Sequence, residues 1–281
     1  MQIDGHDIGV CSWSLQPRDM ADLVSQVKQV GLNHVQLALG GLLGLDDKRK
    51  HQELGVLRNS GIALTGGMMG FADEDYSTIS MIRQTGGFVP DEKWPLRKAL
   101  MKQAAGLAAD MGIRTVTSHV GFIPPSSEAK YKTMVERVCE IAEPLSARGI
   151  ALLMETGQEP ATELLQFLND LRCQNVRVNF DPANMILYGA GDPIEAIETL
   201  GRHIGHVHVK DAKLSARPGE EWGEEVPFGT GEVPPKQFIH ALKDAGYTGP
   251  LAIEREAGTQ RAADVVSAIE NLRAAAATTA Q

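Results

Sequence analysis

Four strand-like segments in the second half of the 281-residue chain each end on a side chain able to bind a hard divalent cation. They read Ile150-Ala-Leu-Leu-Met-Glu155, Val176-Arg-Val-Asn-Phe-Asp181, Gly205-His-Val-His208 and Gly249-Pro-Leu-Ala-Ile-Glu254. Three carboxylates and an imidazole brought together out of water are costly unless a cation or protons neutralise them. Such a donor set suits Mn²⁺, Mg²⁺ or Co²⁺ better than a structural zinc, which prefers thiolate-rich tetrahedra. The chemistry it points to is metal-assisted catalysis.

Each residue also has a reading without metal. Glu155 closes an apolar run, so its carboxylate needs a partner, which a salt bridge would equally supply. Asp181 precedes Pro182, and Asp-Pro commonly opens a turn. Glu254 is followed by Arg255 and Glu256, so an ion pair at a strand end is an alternative. His206 and His208 share one face of a period-2 strand, with Val207 and Val209 on the other. His208, nearer the strand end, is the expected ligand, and His206 is a core or supporting residue. Lys210 lies on the same face one layer higher, within reach of an anionic oxygen of a substrate.

The elements that must position these groups form a repeating pattern. Short apolar β-branched runs alternate with longer amphipathic stretches, as in successive βα units. Eight strands are expected, near Ile8-Trp13, His34-Leu39, Ile62-Gly67, Thr115-His119, Ala151-Glu155, Val176-Phe180, His206-Val209 and Leu251-Glu254. Most are nearly continuous apolar runs, as parallel strands covered on both faces should be. Helices are expected over 21–30, 46–59, 91–111, 128–147, 161–171, 193–200, 235–245 and 261–275. Gly31, Gly61, Gly112, Gly149 and Gly246 each stand where a left-handed cap would end a helix just before a strand. This cadence predicts an α/β fold, a (β/α)8 TIM barrel forming a single domain over residues 1–281. In such a barrel the C-terminal strand ends open onto one mouth, where the chemistry is held. Two long connections, Gly70 to Pro90 and Lys213 to Pro234, follow strands and so lie at that mouth, as lids, substrate walls or tolerated insertions. The Ala-rich tail, Ala274 to Gln281, is expected to fray.

Composition narrows the function classes. At 43% hydrophobic residues the chain can bury a large core. A formal charge of −9 disfavours nucleic acid, whose phosphates demand clustered Lys and Arg. Cys11, Cys139 and Cys173 are odd in number and outside any CxxC spacing, which predicts buried free thiols in a reducing compartment. Residues 1–10 lack a basic, then apolar, leader pattern, and no apolar run reaches the roughly 18 residues of a bilayer span. A soluble cytoplasmic protein with no membrane partner is expected.

Several segments resemble the xylose isomerase-like barrel superfamily, and within it the sugar phosphate isomerase/epimerase group. They are Met154-Glu-Thr-Gly157, Asn179-Phe-Asp-Pro-Ala-Asn184, Gly205-His-Val-His-Val-Lys-Asp211, Gly229-Thr-Gly-Glu-Val233 and Gly246-Tyr-Thr-Gly-Pro-Leu-Ala-Ile-Glu-Arg-Glu256. The resemblance implies that Glu155, Asp181, His208 and Glu254 bind one divalent ion, Mn²⁺ first, with Mg²⁺, Co²⁺ and Zn²⁺ as alternatives. It implies that Glu155 and Glu254 double as an acid/base pair, acting on a small carbohydrate through a metal-stabilised enediolate to isomerise or epimerise it. A lyase of the same fold that expels a β-hydroxyl, such as an inosose-type dehydratase, is the rival activity, and a barrel that binds sugar without turnover is the rival class. A homo-oligomer is a further possibility, with nothing in the sequence to locate a contact. The chain departs from the group at Asn184, where ketose epimerases often carry His, and at Gln36, where many members carry Glu. Both amides can hydrogen-bond a hydroxyl but cannot exchange its proton. His119, at the end of a strand, is a substrate contact or else a core histidine bonded to backbone. Trp13 walls the pocket against a sugar ring or else fills the barrel core.

Overall fold

The computed structural model describes residues 1–277. Eight parallel strands close into a barrel: β1 (His6–Cys11), β2 (His34–Ala38), β3 (Ala63–Met68), β4 (Thr115–Ser118), β5 (Ala151–Glu155), β6 (Val176–Phe180), β7 (Ile204–Val209) and β8 (Leu251–Ile253). Each pairs with the next in sequence, and the register Leu251↔Ile8 between β8 and β1 seals the cylinder. The eight expected helices surround it, with boundaries shifted by up to three residues. The five predicted capping glycines all take positive φ, from +66° at Gly149 to +79° at Gly31.

Side-chain caps set several helix starts. Asp19, Asp46 and Asp192 each accept a backbone N–H from the first turn of the helix that follows, satisfying donors that would otherwise be orphaned. Among the described residues, no helix is long and apolar enough to cross a membrane.

Both long connections carry structure that their composition concealed. The first contains a helix, Ile79–Thr85, capped by Thr78. The second folds back as a strand, Glu224–Val226, antiparallel to Asp211–Lys213. Trp222 Nε1 donates to the Tyr76 carbonyl at 3.1 Å, tying the two connections together above the mouth. Gly87, at φ +55°, packs so closely on the Val120–Gly121 backbone that a Cβ would lie 2.0 Å from the Val120 carbonyl carbon.

Two expectations are corrected. Cys139 and Cys173 are not free thiols but a disulfide, with Cα atoms 5.5 Å apart. The helices Ala129–Ser146 and Ala161–Asp170 pack together through the Tyr131–Phe167 ring contact and the 2.6 Å Tyr131–Asp170 hydrogen bond, which brings the two sulfurs within reach. Cys11 alone is free, and it is buried. The last helix runs through Ala277, so the first part of the expected frayed tail is helical. The remainder of that tail, residues 278–281, lies outside the described residues.

Candidate metal centre and catalytic pocket

The four strand-end groups arise from four consecutive staves. Glu155 is the last residue of β5, Asp181 follows β6, His208 lies in β7 and Glu254 follows β8. One donor atom from each lies within 4.8 Å of every other. All four residues are buried, at 6% exposure or less. His208 Nδ1 stands 3.0 Å from Glu155 Oε1, 3.0 Å from Glu254 Oε2 and 3.4 Å from Asp181 Oδ2. With metal–ligand bonds near 2.1 Å, adjacent ligand atoms in an octahedron stand about 3 Å apart. The donor set therefore fits one divalent ion.

Two further details fit. Glu155 Oε2 and Glu254 Oε2 are buried acceptors without a well-aligned hydrogen-bond donor, although His119 Nε2 and Lys210 Nζ stand 3.1 and 3.2 Å from them. The other ring nitrogen of His208, Nε2, is 2.6 Å from Gln36 Oε1. Because an amide oxygen only accepts, Nε2 carries a hydrogen, and in the neutral ring the Nδ1 lone pair faces the carboxylates. A ligating histidine is commonly held by such a donation from its second nitrogen.

Gln36 in turn belongs to a polar chain crossing the barrel interior. Its Nε2 donates to Thr117 Oγ1 at 3.0 Å, and Thr117 donates to Asn179 Oδ1 at 3.4 Å. Asn179 Oδ1 meets His206 Nδ1 at 2.8 Å, and His206 Nε2 meets Thr65 Oγ1 at 3.1 Å. His206 is thus a supporting residue, and burial with the adjacent His208 charge pulls its pKa down to about 3. Cys11 also lies beside His208 and Glu254, but its Sγ donates to Gln36 Oε1 at 3.4 Å and burial pushes its thiol up to about 12.

Glu155 meets no Lys or Arg; its charge partners are His119 Nε2 at 3.1 Å and His208. Asp181 does start a helix, Pro182–Tyr188, with Oδ1 accepting from Asn184 N, yet its Oδ2 stays directed at His208. Arg255 does not pair with Glu254 but with Glu225 and Asp264, each at 2.8 Å. Burial alone would raise the carboxyls of Asp181 and Glu254, but Lys210 and His208 outweigh it and hold both below the usual range. At Glu155 the imidazoles of His119 and His208 do the same.

Trp13, His119, Asn184 and Lys210 all line the same cavity, of about 740 Å³, with Glu155 and Glu254 at its floor. Trp13 does not fill the barrel core; its Nε1 donates to Glu254 Oε1 at 2.7 Å. Nor is His119 bonded to backbone, since its Nδ1 has no partner. Asn184 Nδ2 approaches Glu155 Oε1 at 3.4 Å. Lys210 is held by Glu254 at 3.2 Å and Glu256 at 3.1 Å. The second-half motifs did not signal three groups. Gln36 was visible as an amide inside the apolar run Val35-Gln-Leu37. Glu225 and, of the roof formed by Tyr76, Tyr188 and Trp222, the first and last come from connections without periodicity, while Tyr188 ends the short helix Pro182–Tyr188; no local pattern marks them.

Comparison with known proteins agrees with this architecture. The family model described as xylose isomerase-like TIM barrel matches residues 24–275. L-ribulose-5-phosphate 3-epimerase UlaE of Shigella flexneri serotype 5b is 28% identical over 183 residues, a match spanning 62% of this chain and 62% of that protein. A crystal structure of a xylose isomerase domain protein from Planctomyces limnophilus superposes with a TM-score of 0.88 at 32% identity, covering 98% of both chains. A xylose isomerase-like TIM barrel protein from Mycobacterium smegmatis, in complex with magnesium, shares the fold at 18% identity with a TM-score of 0.72, covering 96% of this chain and 98% of that one.

Proposed function

The chain belongs to the xylose isomerase-like TIM barrel family, and from that premise we propose that it is a divalent-metal-dependent isomerase or epimerase of a sugar, keto-sugar or sugar derivative. The convergence of Glu155, Asp181, His208 and Glu254 within 4.8 Å at the barrel mouth carries the proposal. The epimerase activity in the name of the Shigella relative supports it.

In this reading Glu155, Asp181, His208 and Glu254 hold the ion, with Mn²⁺ the first candidate. When bound, it would polarise a carbonyl and its neighbouring hydroxyl and so acidify the intervening C–H. Glu155 and Glu254, at the first and last of the four staves, take and return the carbon-bound proton. Trp13 Nε1–H fixes the Glu254 carboxylate, and His119 and Asn184 flank that of Glu155, so both are oriented before substrate arrives. Lys210, packed against Glu254 and Asp181, stabilises their ionised forms and presents an ammonium towards substrate oxygens. Return of the proton by the opposite carboxylate inverts the carbon, whereas delivery to the neighbouring carbon exchanges aldose and ketose.

The test is NMR of Mn²⁺-loaded protein with candidate ketoses in deuterated water. Exchange of one carbon-bound proton, with an epimeric or aldose product, is expected. Loss of water would assign a lyase, and binding without exchange would leave only a sugar-binding barrel.

A further inference from the structure

From the charge and hydrogen bonding of the pocket we infer that the substrate is an uncharged carbohydrate carrying no phosphate. The inference rests on the proposed carbohydrate chemistry and concerns the same cavity.

The walls are acidic. Glu74, Glu155, Glu225, Glu254 and Glu256 line the cavity, and Asp181 lies directly beneath. Lys210 is the only lysine among the lining residues, and no arginine is among them. Its ammonium is 3% exposed and already stands within 4.0 Å of carboxylate oxygens of Asp181, Glu225, Glu254 and Glu256. Arg255, the nearest guanidinium in sequence, is held by Glu225 and Asp264. Arg83 lies over the Phe122 ring, 3.8 Å from its centroid. Six carboxylates against the Lys210 ammonium, the Arg255 guanidinium on Glu225 and one divalent ion still leave the pocket negative, and a phosphate dianion would be repelled.

The glycine turn of the second long connection does not remedy this. The glycine turn Gly229-Thr-Gly231 resembles an anion cradle, since consecutive N–H groups in such turns can bind phosphate. That cradle is filled from within. Gly229 N and Gly231 N donate to Asp211 Oδ2 at 2.9 and 2.8 Å, and Val233 N donates to Asp211 Oδ1 at 2.9 Å. A Cβ on Gly231 would lie 2.3 Å from Asp211 Oδ1, so the carboxylate fits closely into the turn.

Nor is phosphate excluded by size. The cavity, about 740 Å³, shares Trp13, Ala38 and Gly41 with an adjoining one of about 700 Å³, whose two arginines, Arg18 and Arg49, are engaged by Asp22 at 3.0 Å and Glu53 at 2.6 Å. What the roof offers is aromatic: Tyr188 and Trp222 are 4.7 Å apart between centroids, with Tyr76 beside them. Such faces suit the apolar C–H surfaces of a neutral sugar. Discrimination is therefore electrostatic.

The experiment uses matched pairs of ketopentoses and ketohexoses with and without a terminal phosphate. Binding to the Mn²⁺-loaded protein is read by calorimetry at low and high salt, and proton exchange by NMR. The neutral member should bind at least about tenfold more tightly, with the gap narrowing as salt screens the repulsion. Tighter binding of any phosphate ester, ester affinity that falls with added salt, or no binding by any neutral sugar overturns the inference. Neutral sugars that bind preferentially without proton exchange would leave the inference standing and refute the isomerase reading. Exchange confined to esters would do the reverse.

Discussion

The metal-binding lone pair of His208 depends on a residue that touches neither ion nor substrate. Gln36 Oε1, 2.6 Å from Nε2, fixes the tautomer that leaves Nδ1 free for the carboxylate cluster. Gln36→Leu should weaken Mn²⁺ binding by about 10- to 100-fold, as lost support of a ligand generally does. Calorimetric titration checks this, and circular dichroism controls for folding. An unchanged affinity would place the tautomer under other control. A second residue-scale prediction concerns Glu159, a buried carboxyl raised to about 7, chiefly by burial, that accepts Ile123 N at 2.9 Å. Its folded-state pKa exceeds the unfolded one, so the folded state holds the extra proton and stability falls as pH rises from about 4.5 through about 7. Glu159→Gln should remove that decline, as seen in urea midpoints at pH 5 and pH 8. A decline of equal size in the variant would assign it to other groups.

At the scale of elements, the mouth is organised by two connections that meet at Trp222 and Tyr76. The Asp211 carboxylate pins the second of them by accepting three backbone donors. Asp211→Ala leaves those donors unpaired and should destabilise the connection, raising KM for the sugar more than it lowers kcat and increasing proteolysis within residues 213–234. Uniform loss of stability with intact KM would contradict the assignment. The legibility of the fold follows the same division. Strand ends were readable because the apolar run of β5 and the alternating Val-Arg-Val-Asn-Phe of β6 each lead to a single carboxylate, Glu155 and Asp181. Period-2 alternation separated His208 from His206. The connections were not readable, because Glu225 meets Arg255 across 30 residues, and the Ile79–Thr85 helix is too short to establish a period. Trp13 has the composition of a core residue, and only its 2.7 Å bond to Glu254 reveals its place.

Over the whole molecule, one covalent tie was hidden from spacing alone. Cys139 and Cys173 lie 34 residues apart, on segments that become neighbours only once the barrel has wound its helices around the sheet. Closing a loop of that length restricts the unfolded chain and contributes about 3–5 kcal/mol in the entropic account. Reduction, or Cys139→Ser, should lower the thermal midpoint while leaving metal affinity unchanged, because the bond lies outside the site. Equal midpoints would show that the constraint is absent from the folded protein in solution. Disulfides persist mainly in oxidising compartments, so the bond also bears on the expected cytoplasmic location.

Everything proposed about activity depends on one cation gathering groups from β5, β6, β7 and β8. Anomalous diffraction at the manganese edge, from crystals soaked in Mn²⁺ at near-neutral pH, tests this most directly. A single strong peak bonded to Glu155, Asp181, His208 Nδ1 and Glu254 is predicted, disappearing after chelation. No peak at the mouth, or a peak ligated through Cys11 or His206 instead, would contradict it.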